Sequence, residues 1–316
     1  LCPYDSCRLL AINLFSYVEE PFTKNAEFNF ELFKKHIVIA QRMMDDIIDL
    51  ELEKIDGILA KIDADPEQDD VKATEKNLWL NIRQKAYEGR RTGIGITAEG
   101  DMLAALGIRY GSEEGNTFST EVHKILGIET YRASVNLAKE RGAFSIFDAD
   151  REKENPFILR IKEADSKLYY EMLEHGRRNI ALLTIAPTGT TSLMTQTSSG
   201  IEPVFMPVYK RRKKVNPNDK GTRVDFVDEL GDSWEEYVVF HHRFKQWMEV
   251  NGIDSSKNFS QEELNELVKE SPYYRATSND IDWASKVKMQ GAIQKWVDHS
   301  ISVTINLPND ATEELV

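Results

Sequence analysis

Two cysteines, Cys2 and Cys7, are the entire thiol content of this 316-residue chain. Such a count excludes a disulfide-stapled secreted scaffold and makes a reducing cytoplasm the expected setting. A thiol that matters here matters for reactivity rather than for stapling. Long apolar runs are also lacking. The stretch 180–187 is far too short to cross a bilayer, so no membrane partner is expected. Positive charge is in deficit, with 40 Lys and Arg against 53 Asp and Glu and a formal net charge of −13. A duplex-binding surface needs a basic face, so no duplex nucleic acid is expected as a partner. The one basic run, Lys210-Arg211-Arg212-Lys213-Lys214, reads as part of a polar surface loop near 211–232. The six histidines include no pair at zincin spacing, and two cysteines five residues apart need further ligands to hold an ion. No metal site is expected. Internal repeats and Gly/Ser linkers are missing too.

What remains is ordinary globular material, 41% hydrophobic and 29% charged. Helical spacing recurs over 30–62, 74–88, 97–106, 116–140, 156–174, 234–250, 262–269 and 282–298. In the first of these, Asp45, Asp46 and Asp49 read as exposed. Between the helices lie β-rich runs at 8–14, 92–96, 179–186, 204–210 and 299–307. The run 179–186 (NIALLTIA) is continuously apolar and β-branched, as a strand buried on both faces should be. Helix-bearing connections between strands predict an α/β fold of about five mostly parallel strands.

Chemistry concentrates at a few places. Ala186-Pro187-Thr188-Gly189-Thr190-Thr191-Ser192 follows the buried strand and opens a short helix over 191–196. Unpaired amides and hydroxyls at such a turn favour an anion, and Gly189 admits a phosphate close to the backbone. A capped turn without ligand is the equal alternative on turn chemistry alone. No Gly-Lys-Ser/Thr follows, so the turn is not a Walker sequence. Arg90-Arg91-Thr92-Gly93-Ile94-Gly95-Ile96 has glycines at the wrong spacing for a dinucleotide fingerprint, and close backbone packing beside a cavity is the better reading. Cys7, at the entrance of the first strand, is either a small buried residue or a redox-active thiol at the mouth of a site. Glu202, in the turn Ser198-Ser199-Gly200-Ile201-Glu202-Pro203, reads as a cap or solvated charge before an acid or base.

In order along the chain, Tyr4-Asp5-Ser6-Cys7-Arg8-Leu9 with Ala11-Ile12-Asn13-Leu14, Arg91-Thr92-Gly93-Ile94-Gly95, the turn 186–192, Thr197 to Pro203, and Ser300 to Pro308 together resemble the large chain of ribonucleotide reductase. The Ala-Pro-Thr-Gly turn and the ending Thr304-Ile305-Asn306-Leu307-Pro308 are similar to the adenosylcobalamin-dependent, class II enzymes. No match is found to the paired tyrosine of the class I enzymes, since Tyr169-Tyr170 and Tyr273-Tyr274 fall in helix or loop. The resemblance implies a ten-stranded α/β barrel, of which residues 1–316 form a partial domain, the second half. It implies a thiyl radical that removes the ribose 3′ hydrogen and a cysteine pair that reduces the 2′ position. Cys7 matches one member of that pair, and Pro187, Thr188, Gly189, Thr190 and Thr191 match the substrate-phosphate site. The expected cofactor is adenosylcobalamin. Expected partners are a ribonucleotide, the N-terminal half of the same barrel, a thioredoxin-like or other dithiol reductant and, for the complete enzyme, a second copy in a homodimer. Both ends read as cuts, 313–316 as the start of a helix. The radical cysteine is expected upstream of Leu1, so the isolated chain is expected not to turn over. A class I large-chain fragment and a catalytically inactive nucleotide-binding module stand as alternatives.

Overall fold

The computed structural model describes residues 2–216, 218, 221–307 and 310–314. Strand β1 (Arg8–Asn13) runs parallel to β4 (Thr92–Thr97), pairing Leu9 with Gly93, Ala11 with Gly95 and Asn13 with Thr97. Two shorter parallel lines extend this pair. The segment 181–185 joins β4 through the Ile94–Leu183 bridge, and the segment 300–302 joins it in turn through Ile185–Ile301. Backbone bonds from Thr92 N to Ala181 O (3.0 Å), Thr184 N to Ile94 O (3.0 Å) and Ser302 N to Ile185 O (2.8 Å) continue the ladder. The order across the sheet is therefore 8–13, 92–97, 181–185, 300–302.

Alternation gives this sheet two unlike faces. Ile12, Ile94, Ile96, Leu183 and Ile185 point into the core, each at most 7% exposed. Long helices cover that side: α1 (Phe30–Ala64) and α4 (Glu113–Arg141) contribute to the same core, and α2 (Asp69–Gly89) packs on α1. Capping fixes the starts of α1 and α4, with Asn29 accepting from Leu32 N and Ser112 from Gly115 N. The other face carries Leu9, 58% exposed, with the small residues Ala11, Gly93, Gly95 and Thr184. A methyl group on Gly95 would collide with the Thr184 carbonyl oxygen, so glycine alone lets these backbones approach as they do.

The remaining elements connect and buttress. A two-residue ribbon pairs β2 (Val18–Glu19) with β3 (Glu27–Phe28) after a 3₁₀ turn at Leu14–Tyr17. Helix α3 (Glu99–Ala105) follows β4 and stops before Gly107, whose φ is 72°. Helices α5 (Ala149–Glu152), α6 (Pro156–Ala164) and α7 (Ser166–His175) lead to the third parallel line. The span 156–174 is thus two helices rather than one, because Asp165 breaks it and caps the second by accepting from Leu168 N. The segment α8 (Gly189–Thr195) follows the third line.

Four corrections concern the expected elements. The strand expected at 204–210 does not join the parallel sheet. It starts after Pro207 as β5 (Val208–Val215) and forms a separate antiparallel sheet, ordered β5–β7–β6, with β6 (Phe226–Val227) and β7 (Ser233–Phe240). The basic run is consequently strand, not loop, and the polar loop near 211–232 shrinks to the connections between these strands. Its charge is answered across the pair, with Arg212 on Glu236 (2.8 Å) and Lys214 on Asp232 (2.5 Å). Arg212 also stacks over Phe226. The first half of the expected helix 234–250 is β7, and only α9 (His242–Val250) is helical. The β-branched and aromatic run Tyr237-Val238-Val239-Phe240 explains the switch. Finally, Asp45 is fully buried, not exposed. It receives Arg90 (2.8 Å), Arg178 (3.2 Å) and Asn179 (3.0 Å).

Helices α10 (Gln261–Glu270), opened by a Ser260/Glu263 capping box, and α11 (Trp283–Gln294) complete the described chain. Glu313 and Glu314 lie in a turn, while Leu315, Val316, Leu1, Pro308, Asn309, Pro217, Asp219 and Lys220 lie outside the described residues. Among the described residues no helix is long and apolar enough to cross a membrane. The architecture is mixed α/β with a parallel sheet, and the described strands do not close into a barrel.

Candidate functional site

The small-residue face of the sheet floors a cavity of about 290 Å³. Leu9, Leu10 and Ala11 of β1, Gly93 and Gly95 of β4, and Thr184 line it, and Pro187, Thr188, Gly189, Thr190 and Thr191 close it. Three stretches, from Leu9 to Thr191 in the sequence, thus meet around one space. The glycines of 93–95 serve close packing beside a cavity, as their spacing implies.

The turn is built under strain. Thr188 has φ 55° and Ala98, at the facing end of β4, has φ 70°, both left-handed. Such residues persist only when their surroundings hold them. Here Thr188 Oγ1 meets Thr97 Oγ1 (3.0 Å) and accepts from Gly200 N (2.7 Å). Ala98 N donates to Ser198 O (3.1 Å). Ser198 N in turn donates to the buried carboxylate of Asp101 (2.7 Å), which also accepts from Tyr273 Oη and His241 Nε2 at 2.8 Å. The result aims the opening of α8 at the cavity. The first amide with a helical partner is that of Ser192, bonded to Thr188 O at 2.8 Å. The amides of Gly189, Thr190 and Thr191 precede it and, like all amides of a first helical turn, have no intrahelical acceptor. All three residues are exposed, and nothing stands near the missing Cβ of Gly189. An anion with several oxygens suits this turn.

Cys7 is not among the lining residues, but its sulfur packs against Gly93, which is. A Cβ on Gly93 would lie 2.8 Å from its sulfur and 2.7 Å from Thr184 Cγ2, so the glycine makes room for the thiol. The thiol is half-buried, and burial pushes its pKa up against the opposing charges of Arg91 and Arg8. His299 Nδ1 lies 3.9 Å from Sγ. Arg91 donates to the other ring nitrogen of His299 (2.6 Å) and pairs with Asp5 (2.6 Å). Cys2 is exposed and stands apart as a free thiol.

Other candidates resolve differently. Glu202 ion-pairs with the buried Lys286 and accepts from Thr304 N (2.7 Å), tying the turn 198–203 to the segment after the last parallel line. It is a structural tie. Among the described residues, Asp45, Asp46 and Asp49 are the one carboxylate trio close enough to share an ion. Arg90, Arg141 and Arg178 already neutralise them. Burial opposes ionisation of Asp45, but the hydrogen bonds and charges of Arg90 and Arg178 hold its pKa below the usual carboxylate range. Thr97, Asp101, Tyr273 and His299 escaped the sequence reading because their roles depend on contacts 91 to 292 residues away. Only the position of His299 at the head of an apolar run offered a hint.

Comparison with known proteins identifies the family. The family model described as ribonucleotide reductase, barrel domain, matches residues 2–316. A vitamin B12-dependent ribonucleoside-diphosphate reductase of Thermoplasma acidophilum is 29% identical over 323 residues, covering 99% of this chain and 33% of that protein. The protein of the same name from Mycobacterium tuberculosis H37Rv is 25% identical over 326 residues, covering 99% and 36%. A vitamin B12-dependent ribonucleotide reductase of Streptomyces coelicolor is 24% identical and covers 98% and 31%. The chain spans about a third of the length of these curated relatives. With a family model matched from residue 2 to residue 316, the chain belongs to the ribonucleotide reductase barrel-domain family.

Proposed function

We propose that this chain contributes the substrate-phosphate turn and one redox cysteine to a vitamin B12-dependent ribonucleotide reductase. The observation that carries the reading is the shared cavity. One wall offers the first-turn amides of Gly189, Thr190 and Thr191, and Gly93 of its floor packs against the Cys7 thiol just beyond the lining. A ribonucleotide has the matching polarity, an anionic phosphate at one end and a ribose to be reduced at the other. In this reading the parallel sheet is part of a ten-stranded barrel completed by the missing half, and its small-residue face looks into the barrel. A cysteine pair, Cys7 and a partner in that half, gives two electrons and two protons to the 2′ position. The hydroxyl leaves as water, the pair becomes a disulfide, and a dithiol such as a thioredoxin-like protein reduces it again.

Adenosylcobalamin would supply the radical in the complete enzyme; the relatives are named vitamin B12-dependent, which fits that cofactor. The cavity here is lined by amides, hydroxyls and small apolar groups, with no imidazole to meet a cobalt ion. No residue of this cavity is suited to hold the cofactor. Cytoplasmic location and assembly as a homodimer complete the proposal.

Amide chemical shifts of the labelled chain, titrated with a ribonucleoside diphosphate, test the site. Shifts should concentrate at residues 189–191, 93 and 184. Thr190→Pro removes one donor in the first helical turn, where proline is tolerated, and should weaken binding about tenfold. Shifts confined to the β5–β7 sheet, or binding indifferent to Thr190→Pro, would refute the assignment.

A further inference from the structure

Beside Cys7 lies a chain of contacts that the phosphate turn does not need: Asp5 to Arg91, Arg91 to His299, His299 to the thiol. Its direction is fixed by what each group can do. A guanidinium only donates, so at 2.6 Å from Arg91 Nη1 the Nε2 of His299 must be the acceptor. A neutral imidazole protonates one nitrogen, which places the hydrogen on Nδ1. Nδ1 is the atom 3.9 Å from Cys7 Sγ, within reach of a sulfur acceptor. The ring therefore presents N–H to the sulfur.

A second proton on this ring would have to enter at Nε2, break the Arg91 bond and set two cations side by side. Burial holds the ring's pKa down, and the charge of Arg91 does the same against the pull of Asp298. Asp298 is itself occupied, accepting from Tyr131 Oη (2.7 Å) and from Leu182 and Leu183 N (2.9 and 2.8 Å). The other charges facing Cys7 are Arg8, which is paired with Glu51 (2.5 Å), and Asp5, which is paired with Arg91.

We propose that His299 is a dedicated hydrogen-bond donor to the Cys7 thiolate, with Arg91 as the positioning residue that locks its tautomer. The inference rests on the reading of Cys7 as a redox thiol. When an external dithiol reduces the disulfide, its thiolate attacks the sulfur of the partner cysteine. A new S–S bond forms, the bond to Cys7 breaks, and the electron pair stays on Cys7 Sγ. His299 Nδ1–H receives that charge by hydrogen bonding without giving up its proton, and the thiolate later takes a proton from water. A hydrogen-bonded thiolate is a better leaving group than the same buried thiolate without the bond, so the donor offsets part of the burial that raises the Cys7 pKa. His299 acts here as a fixed donor, not as an acid or base.

Alkylation by iodoacetamide reads thiolate directly. In the full chain carrying Cys2→Ser, Cys7 is the only thiol, and its rate against pH should follow a single ionisation. His299→Phe should raise the midpoint by about one pH unit and slow alkylation at pH 7 about tenfold. His299→Asn, whose amide nitrogen can replace Nδ1, should restore most of the rate. Arg91→Gln frees the ring to titrate and should add a second step in the ordinary imidazole range. An unchanged midpoint in the phenylalanine variant, or a second step already present with Arg91 intact, overturns the proposal. If the phenylalanine variant does not fold, the profiles of the chain with Arg91 and with Gln at that position decide it alone. Alkylation needs neither substrate nor cofactor, so this inference can fail while reductase turnover still depends on Cys7, and the reverse holds equally.

Discussion

The two faces of the parallel sheet share strands, hydrogen bonds and neighbours, yet differ in what their side chains do. One carries Ile12, Ile94, Ile96, Leu183 and Ile185 against long helices and is closed to water. The other carries Ala11, Gly93, Gly95 and Thr184, and opens on the cavity. Stability is concentrated on the first face, and the second gives up side-chain packing, leaving a cavity and room for a thiol. Strain follows the same division, because the left-handed residues Ala98 and Thr188 sit where the open face ends.

The sharpest way to break this contrast is to add volume to the open face. Gly95→Val would drive its side chain into the Thr184 backbone carbonyl, and backbone cannot step aside as a rotamer can. The loss should exceed the about 3 kcal/mol of ordinary overpacking, read as failure to fold or a collapsed melting transition. On the packed face, Ile94→Ala should cost about 3 kcal/mol by denaturant unfolding. Leu9, paired with Gly93 beside it but 58% exposed, should lose under about 0.5 kcal/mol on the same change.

A polar pair behind the packed face sharpens the comparison. Glu99 is fully buried; among the described residues its oxygens meet no hydrogen-bond geometry, with the Ser119 hydroxyl as nearby polar help, and His123 Nε2 stands 4.0 Å away, also unpartnered. His123 Nδ1 is spent on Ser119 O (2.8 Å). Burial raises the Glu99 pKa, with His123 opposing. A carboxyl with a raised folded pKa binds its proton more tightly when folded, so the stability it contributes falls as pH rises above the unfolded value. Glu99→Gln keeps the shape and offers an N–H to His123. It should gain stability over the parent chain by about 1 kcal/mol at pH 7, with the advantage shrinking toward pH 4. Melting temperatures across that range check the sign.

Much of this organisation is legible in the residues. The long helices, the parallel strands at 8–13 and 92–97 and the turn at 187–191 follow from periodicity, β-branching and glycine placement. The β5–β7 sheet is not, because a basic run reads as solvated loop until Glu235 and Glu236 are seen across the pair. Burial of Asp45 is equally hidden, since three of its partners, Arg90, Arg178 and Asn179, are 45 to 134 residues away. Within the site, the turn and the thiol announce themselves by residue type. The link between them does not, since Gly93, Thr184 and His299 gain meaning only when the strands align.

The most direct test of the shared cavity is Cys7→Ser in the complete reductase, assayed with adenosylcobalamin, ribonucleotide and an excess of dithiol. The account predicts that nucleotide binding is retained while steady-state deoxynucleotide formation falls by on the order of a thousandfold or more, as losses of a covalent participant do. Turnover that continues at the parent rate without the Cys7 thiol would contradict it.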